Sequence, residues 1–107
     1  MWVVDGVDLT MTEGDYGIAV PMTIHDVALT ASDTFKITVK PGKNQTALIE
    51  KEYSEITNNT VQFSLTAAES ALLKAGVTYV YSLDWYQEGS FLCNLIPAAT
   101  IKVVDKA

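Results

Sequence analysis

This 107-residue chain has one cysteine, one histidine and only seven basic residues against thirteen acidic ones, and each shortage removes a class of function. A single thiol, Cys93, forms no internal disulfide; it lies in the apolar run FLCNLI, where a free cysteine is expected to pack as a small hydrophobe. One histidine and one cysteine without a spaced ligand pair do not build the nitrogen and sulfur site that zinc prefers, so no metal or other cofactor is expected. The net charge of −6 repels phosphate backbones, and Lys36, Lys40, Lys43 and Lys51 are dispersed among acids, which argues against nucleic acid as a partner. No segment approaches the roughly 18 consecutive apolar residues of a membrane-spanning helix. The opening MWVVDGVD carries acids where a signal peptide carries bases, so the expectation is a chain made in the cytoplasm without a signal peptide. Glycine motifs that cradle phosphate are also absent.

What the chain does have is enough for one packed core: 49% hydrophobic residues, with no Pro/Gly/Ser-rich linker or charge block, read as a single domain over 1–107. Alternation supplies the strands. Leu9 and Met11 alternate with polar residues, and Tyr16, Ile18, Val20, Met22 and Ile24 place five apolar side chains on one face, with Glu13-Gly14-Asp15 as the turn between the two runs. Pro21 inside the second run has no N–H for a ladder and predicts an edge or a bulge. Phe35, Ile37 and Val39 form the next run, ended by Pro41-Gly42. Thr46–Tyr53 follows, and beyond Asn58-Asn59 come Val61, Phe63 and Leu65.

At Thr66-Ala67-Ala68-Glu69 the pattern fits a capping box, and Leu72 and Leu73 continue it as an apolar stripe to Gly76, so a short helix over about Thr66–Lys74 is expected. The period then returns to two, with Val77, Tyr79, Tyr81, Leu83 and Trp85 on one face of a central strand. Glu88-Gly89 predicts a hairpin into Phe91–Ile96, and Ala99–Val104 closes the chain after Pro97. About seven to eight strands with one short helix read as all-β, an antiparallel sandwich of immunoglobulin-like type. Leu73, Gly76 and Tyr79 have the spacing of a tyrosine corner at the E to F crossover, with the Tyr79 hydroxyl bonded to backbone a few residues upstream.

Candidate chemistry is sparse. His25 beside Asp26 pairs an imidazole with an acid, but Thr23 and Thr30 offer no nucleophile elbow, so a loop histidine is the better reading. Asp5, Asp8, Glu13 and Asp15 match no calcium-loop spacing and read as turn acids. Asn44-Gln45-Thr46 and Asn58-Asn59-Thr60 match a glycosylation sequon but sit at turns. Catalytic residues are therefore not assigned, and the chain is not expected to be an enzyme. Two aromatics are the candidate interaction surface: Tyr86, which alternation places outside while Trp85 faces the core, and Trp2, in an apolar N-terminal segment suited to covering a sheet edge or a neighbouring subunit.

The segments DLTMTEGDYG, FKITVK, FSLTAAES, LLKAGVTYVYSLDW, the QEG turn and the closing ATIKVVD together resemble the immunoglobulin-like N-terminal domain of phage upper baseplate (BppU-type) proteins and related phage tail proteins. The similarity spans nearly the whole chain; Gln87-Glu88-Gly89 stands where many relatives have Asp-Gly. The resemblance implies a structural module of a phage or prophage tail or baseplate, a virion component that packs on other tail proteins or on copies of itself. A carbohydrate- or host-receptor-binding module is the alternative.

Overall fold

Period-two alternation decides which face of each strand is buried, and the described core follows it closely. The structure is a computed structural model that describes residues 2–5, 8–17, 19–24, 29, 32–42, 44–54, 56 and 58–105, with the backbone alone for 2–5, 97 and 98. His25, Asp26 and Thr30 lie outside the described residues. The elements run β1 (Trp2–Asp5), β2 (Asp8–Thr12), β3 (Val20–Thr23), β4 (Asp33–Lys40), β5 (Ile49–Ser54), β6 (Thr60–Phe63), α1 (Ala67–Ser70), β7 (Thr78–Gln87) and β8 (Ser90–Val104). Six strands form one sheet in the order β1-β2-β8-β7-β4-β5, and β3 and β6 form a second.

The sheets face each other across one core. Phe35, Ile37 and Val39 of β4, Tyr81 and Leu83 of β7, and Ile101 and Val103 of β8 are buried on the inner face of the large sheet. Val20, Val61, Phe63 and Leu65 close over them, and the Phe63 and Tyr81 rings stack across the gap at 6.4 Å between centroids. With β3 and β6 paired in one sheet and β4, β7 and β8 adjacent in the other, the strands take the B, E and C, F, G places of an immunoglobulin-like sandwich. Pro21 is exposed on β3, which among the described residues pairs with β6 alone, so the missing N–H costs no ladder bond on the open side. One pair departs from the antiparallel rule: β2 runs parallel to β8, from Leu9 opposite Ile101 to Thr12 opposite Val104.

The helix is shorter than the expected Thr66–Lys74. It holds one turn, Ala67–Ser70, after which Leu72 N–H and Leu73 N–H bond back only three residues, to Glu69 and Ser70 carbonyls. This tightening rotates the stripe, so Leu73 is buried and Leu72 is 47% exposed. The capping box is formed: Glu69 N–H donates to Thr66 Oγ1 at 3.2 Å and Thr66 N–H to Glu69 Oε1 at 2.9 Å. Glu69 also receives Lys51 Nζ at 2.9 Å, and the same ammonium donates to the Ser64 carbonyl at 2.6 Å, joining β5 to the segment after β6.

Three consecutive amides after the helix are each satisfied by a different part of the chain. Lys74 N–H donates to the Tyr79 hydroxyl at 2.8 Å, Ala75 N–H to Glu13 Oε2 at 2.9 Å, and Gly76 N–H to the Val103 carbonyl at 2.9 Å. The expected tyrosine corner is thus present, with Tyr79 4% exposed. Gly76 does not stop the helix itself. It takes φ +81° as the third residue of the Lys74–Val77 turn, a position that demands the left-handed region.

Three further boundaries differ from the alternation. Between Thr12 and Val20 the described residues form no strand and Tyr16 is 60% exposed, because the Thr12–Asp15 turn carries the chain from the large sheet to the small one instead of closing a hairpin. β5 begins at Ile49, three residues later than expected. The two expected closing strands are one, β8, in which Pro97 falls within the register shift between Tyr81 and Leu83 of β7.

Candidate functional site at the hairpin end of the large sheet

The β7–β8 hairpin turns through Glu88 (φ 51°) and Gly89 (φ 82°), with Gln87 opposite Ser90, which is the two-residue type I′ geometry that matches strand twist. From that turn the two strands run out of step. Nine residue steps along β7, from Gln87 to Thr78, face twelve along β8, from Ser90 to Lys102, so three extra residues sit on β8 at the three register shifts. Each extra residue reverses the parity of inside and outside along the strand.

That reversal rearranges the run SFLCNLI. Phe91 is 53% exposed, Leu92 is 45% exposed, and Cys93 is exposed, contrary to the expectation that it packs inside; Leu95 and Ile96 are the members that reach the core. The register places Thr34, Tyr86 and Phe91 on one rung of the outer face and Lys36, Asp84 and Asn94 on the next. Tyr86 and Phe91 meet edge to face with centroids 5.6 Å apart, and Asn94 Nδ2 donates to Asp84 Oδ1. Lys36 reaches Glu50 at 3.6 Å from the neighbouring strand.

Opposite this face, Trp85 points inward as alternation expects. Its ring stacks on Phe35 at 6.2 Å, and its Nε1–H donates to Asp33 Oδ1 at 2.9 Å, where Gln87 Nε2 also arrives at 3.4 Å. Asp33, on β4, is buried beneath the hairpin and ties β7 to β4 through these bonds. The hairpin end is therefore a supported platform and not a loose loop.

Edge exposure completes the geometry. β2 covers β8 only from Ile101 to Val104, and Asp8 Oδ1 receives both Thr100 N–H and Thr100 Oγ1 at the end of that pairing. Among the described residues no strand pairs with the outer side of Ser90–Ala98.

The two expected surface residues fall in different places. Tyr86 belongs to the outer-face cluster, half-buried against Phe91. Trp2 has its backbone in β1, the far edge of the same sheet, and its side chain lies outside the described residues, so the two are not brought together. Phe91 and Leu92 were not legible as surface residues, since an apolar hexapeptide reads as core until the bulges are counted.

Acids expected at turns serve as backbone acceptors: Asp8 toward Thr100, Glu13 toward Ala75, and Asp15 Oδ2 toward Thr12 N–H at 3.3 Å. No group of three or more His, Cys, Asp or Glu side chains suited to a metal ion occurs among the described residues. No helix of the described residues is long and apolar enough to cross a membrane. Comparison of the chain with protein-family models, with curated proteins and with solved structures returns no match.

Proposed function

We propose that this domain is a non-enzymatic assembly module of a phage or prophage tail or baseplate, acting through protein–protein contact at the hairpin end of the large sheet. The observation that carries the assembly role is the exposed stretch of β8, where Phe91 and Leu92 face solvent on a rigid platform anchored by Asp33. Exposed aromatic and aliphatic side chains grouped on a fixed sheet, with a polar surround, are the composition of a docking surface. The phage context rests on the resemblance of the chain's segments to upper-baseplate domains.

The test is membership of a particle. In gradient-purified particles from the source bacterium after prophage induction, mass spectrometry is expected to find the chain at stoichiometric levels with the other tail proteins. Particles that hold their tail proteins but lack this chain would sink the reading.

A second reading, saccharide binding, has its own observation: the Tyr86–Phe91 pair lies one rung from Asp84 and Asn94, placing ring surface beside carboxylate and amide groups able to bond vicinal hydroxyls. A glycan-array signal lost in Tyr86→Ala would promote it. Silence across the array leaves assembly ahead.

A further inference from the structure

We propose that the outer face of the large sheet at its hairpin end, where the Tyr86–Phe91 pair lies one rung from Asp84, takes an arginine-bearing segment of a partner protein; the proposal rests on the assembly reading and names the chemistry of what docks there. Charge selects the occupant. Along the hairpin half of that face β5 presents Glu50 and Glu52, β7 presents Asp84 and the turn presents Glu88, with Lys36 as the one base among the described residues there. Lys36 is already engaged by Glu50 at 3.6 Å and lies opposite Glu52 in the register. Toward the other end of the strands the same face carries Lys40 and Lys102, and its Asp8 is committed to Thr100. Basic side chains are therefore drawn to the hairpin half of the face and not to the other. A second copy, at net charge −6, brings the same excess of acids.

The rings narrow the choice from any cation to a guanidinium. Phe91 is 53% exposed and meets Tyr86 edge to face at 5.6 Å, so open ring surface lies two strand residues, about 7 Å, from the Asp84 carboxylate. Asn94 Nδ2 donates to Asp84 Oδ1, which orients the carboxylate and leaves it further acceptor capacity. A guanidinium is planar and weakly hydrated, and it can stack on a ring while donating to a carboxylate beside it. A neutral saccharide would use the same rings but gains nothing from the surrounding acids. The Trp85–Asp33 bond holds β7 from beneath, so docking has little ordering to do.

The probe is an acetylated and amidated Gly-Arg-Gly-Arg-Gly peptide, titrated into the isotopically labelled domain by nuclear magnetic resonance at about 0.1 M salt, where charges beyond about 10 Å are screened. Amide shifts are expected at Asp84, Tyr86 and Phe91, and the same peptide with glutamine in place of arginine is expected to bind roughly fivefold more weakly or worse. Asp84→Asn, which can still accept from Asn94, is expected to weaken the arginine peptide about threefold. Phe91→Leu and Tyr86→Leu are each expected to weaken it about two- to fivefold, while Tyr86→Trp retains binding. Asp105→Asn removes the same charge from an exposed site at the far end of β8 and leaves the affinity unchanged. Thermal melts confirm that the variants are folded, and the comparison of the two peptides on the wild type needs no variant.

Equal affinity for the two peptides overturns the proposal, as does an equal effect of Asp84→Asn and Asp105→Asn, which would mean that the peptide reads net charge alone. Shifts at these residues with chitohexaose but not with the arginine peptide give the face to a glycan. A reversible dimer in light scattering that Phe91→Leu abolishes gives it to a second copy, and either result overturns the partner named here. Particle membership is read separately, so a chain present in particles that binds no arginine peptide refutes the arginine-bearing partner alone. Peptide binding by a chain missing from particles refutes the tail assignment alone.

Discussion

Removing one hydroxyl at the crossover tests the fold at its most specific point. Tyr79→Phe keeps the ring, which is almost wholly buried, and deletes only the oxygen that accepts the Lys74 N–H at 2.8 Å. A net intramolecular hydrogen bond contributes about 1 kcal/mol, and an orphaned buried donor costs about 1–3 kcal/mol. Lys74 is itself exposed, so water relieves part of that penalty, and the expected loss is about 1–1.5 kcal/mol. With an m-value of about 2 kcal/mol/M, the urea midpoint should fall by about 0.5–0.8 M with m unchanged. Tyrosine fluorescence is altered by the substitution itself, so far-UV circular dichroism is the assay. Tyr16→Phe, on an exposed ring, is the control and should not move the midpoint. An unchanged midpoint in Tyr79→Phe would refute the corner as a stabilising element, because Lys74 N–H would then be equally well satisfied by solvent.

Other outcomes follow from the same bonds. Burial would raise the Glu69 carboxyl, but the Thr66 amide and Lys51 outweigh it and hold the group below its usual 4.5; its stabilisation is present above that value and is lost as pH falls through the depressed one, so Glu69→Gln should flatten the acid limb of a stability profile. Tyr81 is pushed up to about 12 by burial and then by the Asp8 charge, so the fold loses stability as pH rises from 10 toward 12; Tyr81→Phe should reduce that alkaline loss, followed by circular dichroism. Gly76→Ala should cost about 1–2 kcal/mol through its φ of +81° alone, since an added Cβ meets nothing within 4 Å; Gly76→Asn should recover part of it in thermal melts. Asp33→Ala leaves the half-buried Trp85 indole N–H without its Asp33 acceptor and should cost about 1–2 kcal/mol with a shift in tryptophan emission.

Most of the fold was legible because a buried strand writes its face directly into residue parity. Phe35, Ile37 and Val39, then Tyr79, Tyr81 and Leu83, are buried as their alternation demands, and Thr66 to Glu69 forms the box its spelling implies. The candidate site was legible only at Tyr86. Parity holds until an extra residue interrupts it, and β8 has three such interruptions in fifteen residues, none marked by a glycine. Phe91 and Leu92 therefore read as core and stand in solvent, while Leu72 was turned outward by a tightening of the backbone that side-chain pattern does not encode. The parallel β2–β8 pair was equally hidden, being a contact between chain segments far apart that share no turn.

That parallel pair has a mechanical consequence. Tension drawn through the chain toward both ends pulls β2 at Asp8 and β8 at Val104 in opposite directions along a common axis, so the hydrogen bonds from Leu9–Ile101 to Thr12–Val104 are sheared together. An antiparallel hairpin pulled at its open end parts one bond at a time. Here the bonds must fail as a set, with the Asp8 bonds to Thr100 at one end and the Glu13 N–H bond to the Val104 carbonyl at the other. The domain is built to resist stretching along its strands far better than peeling across them.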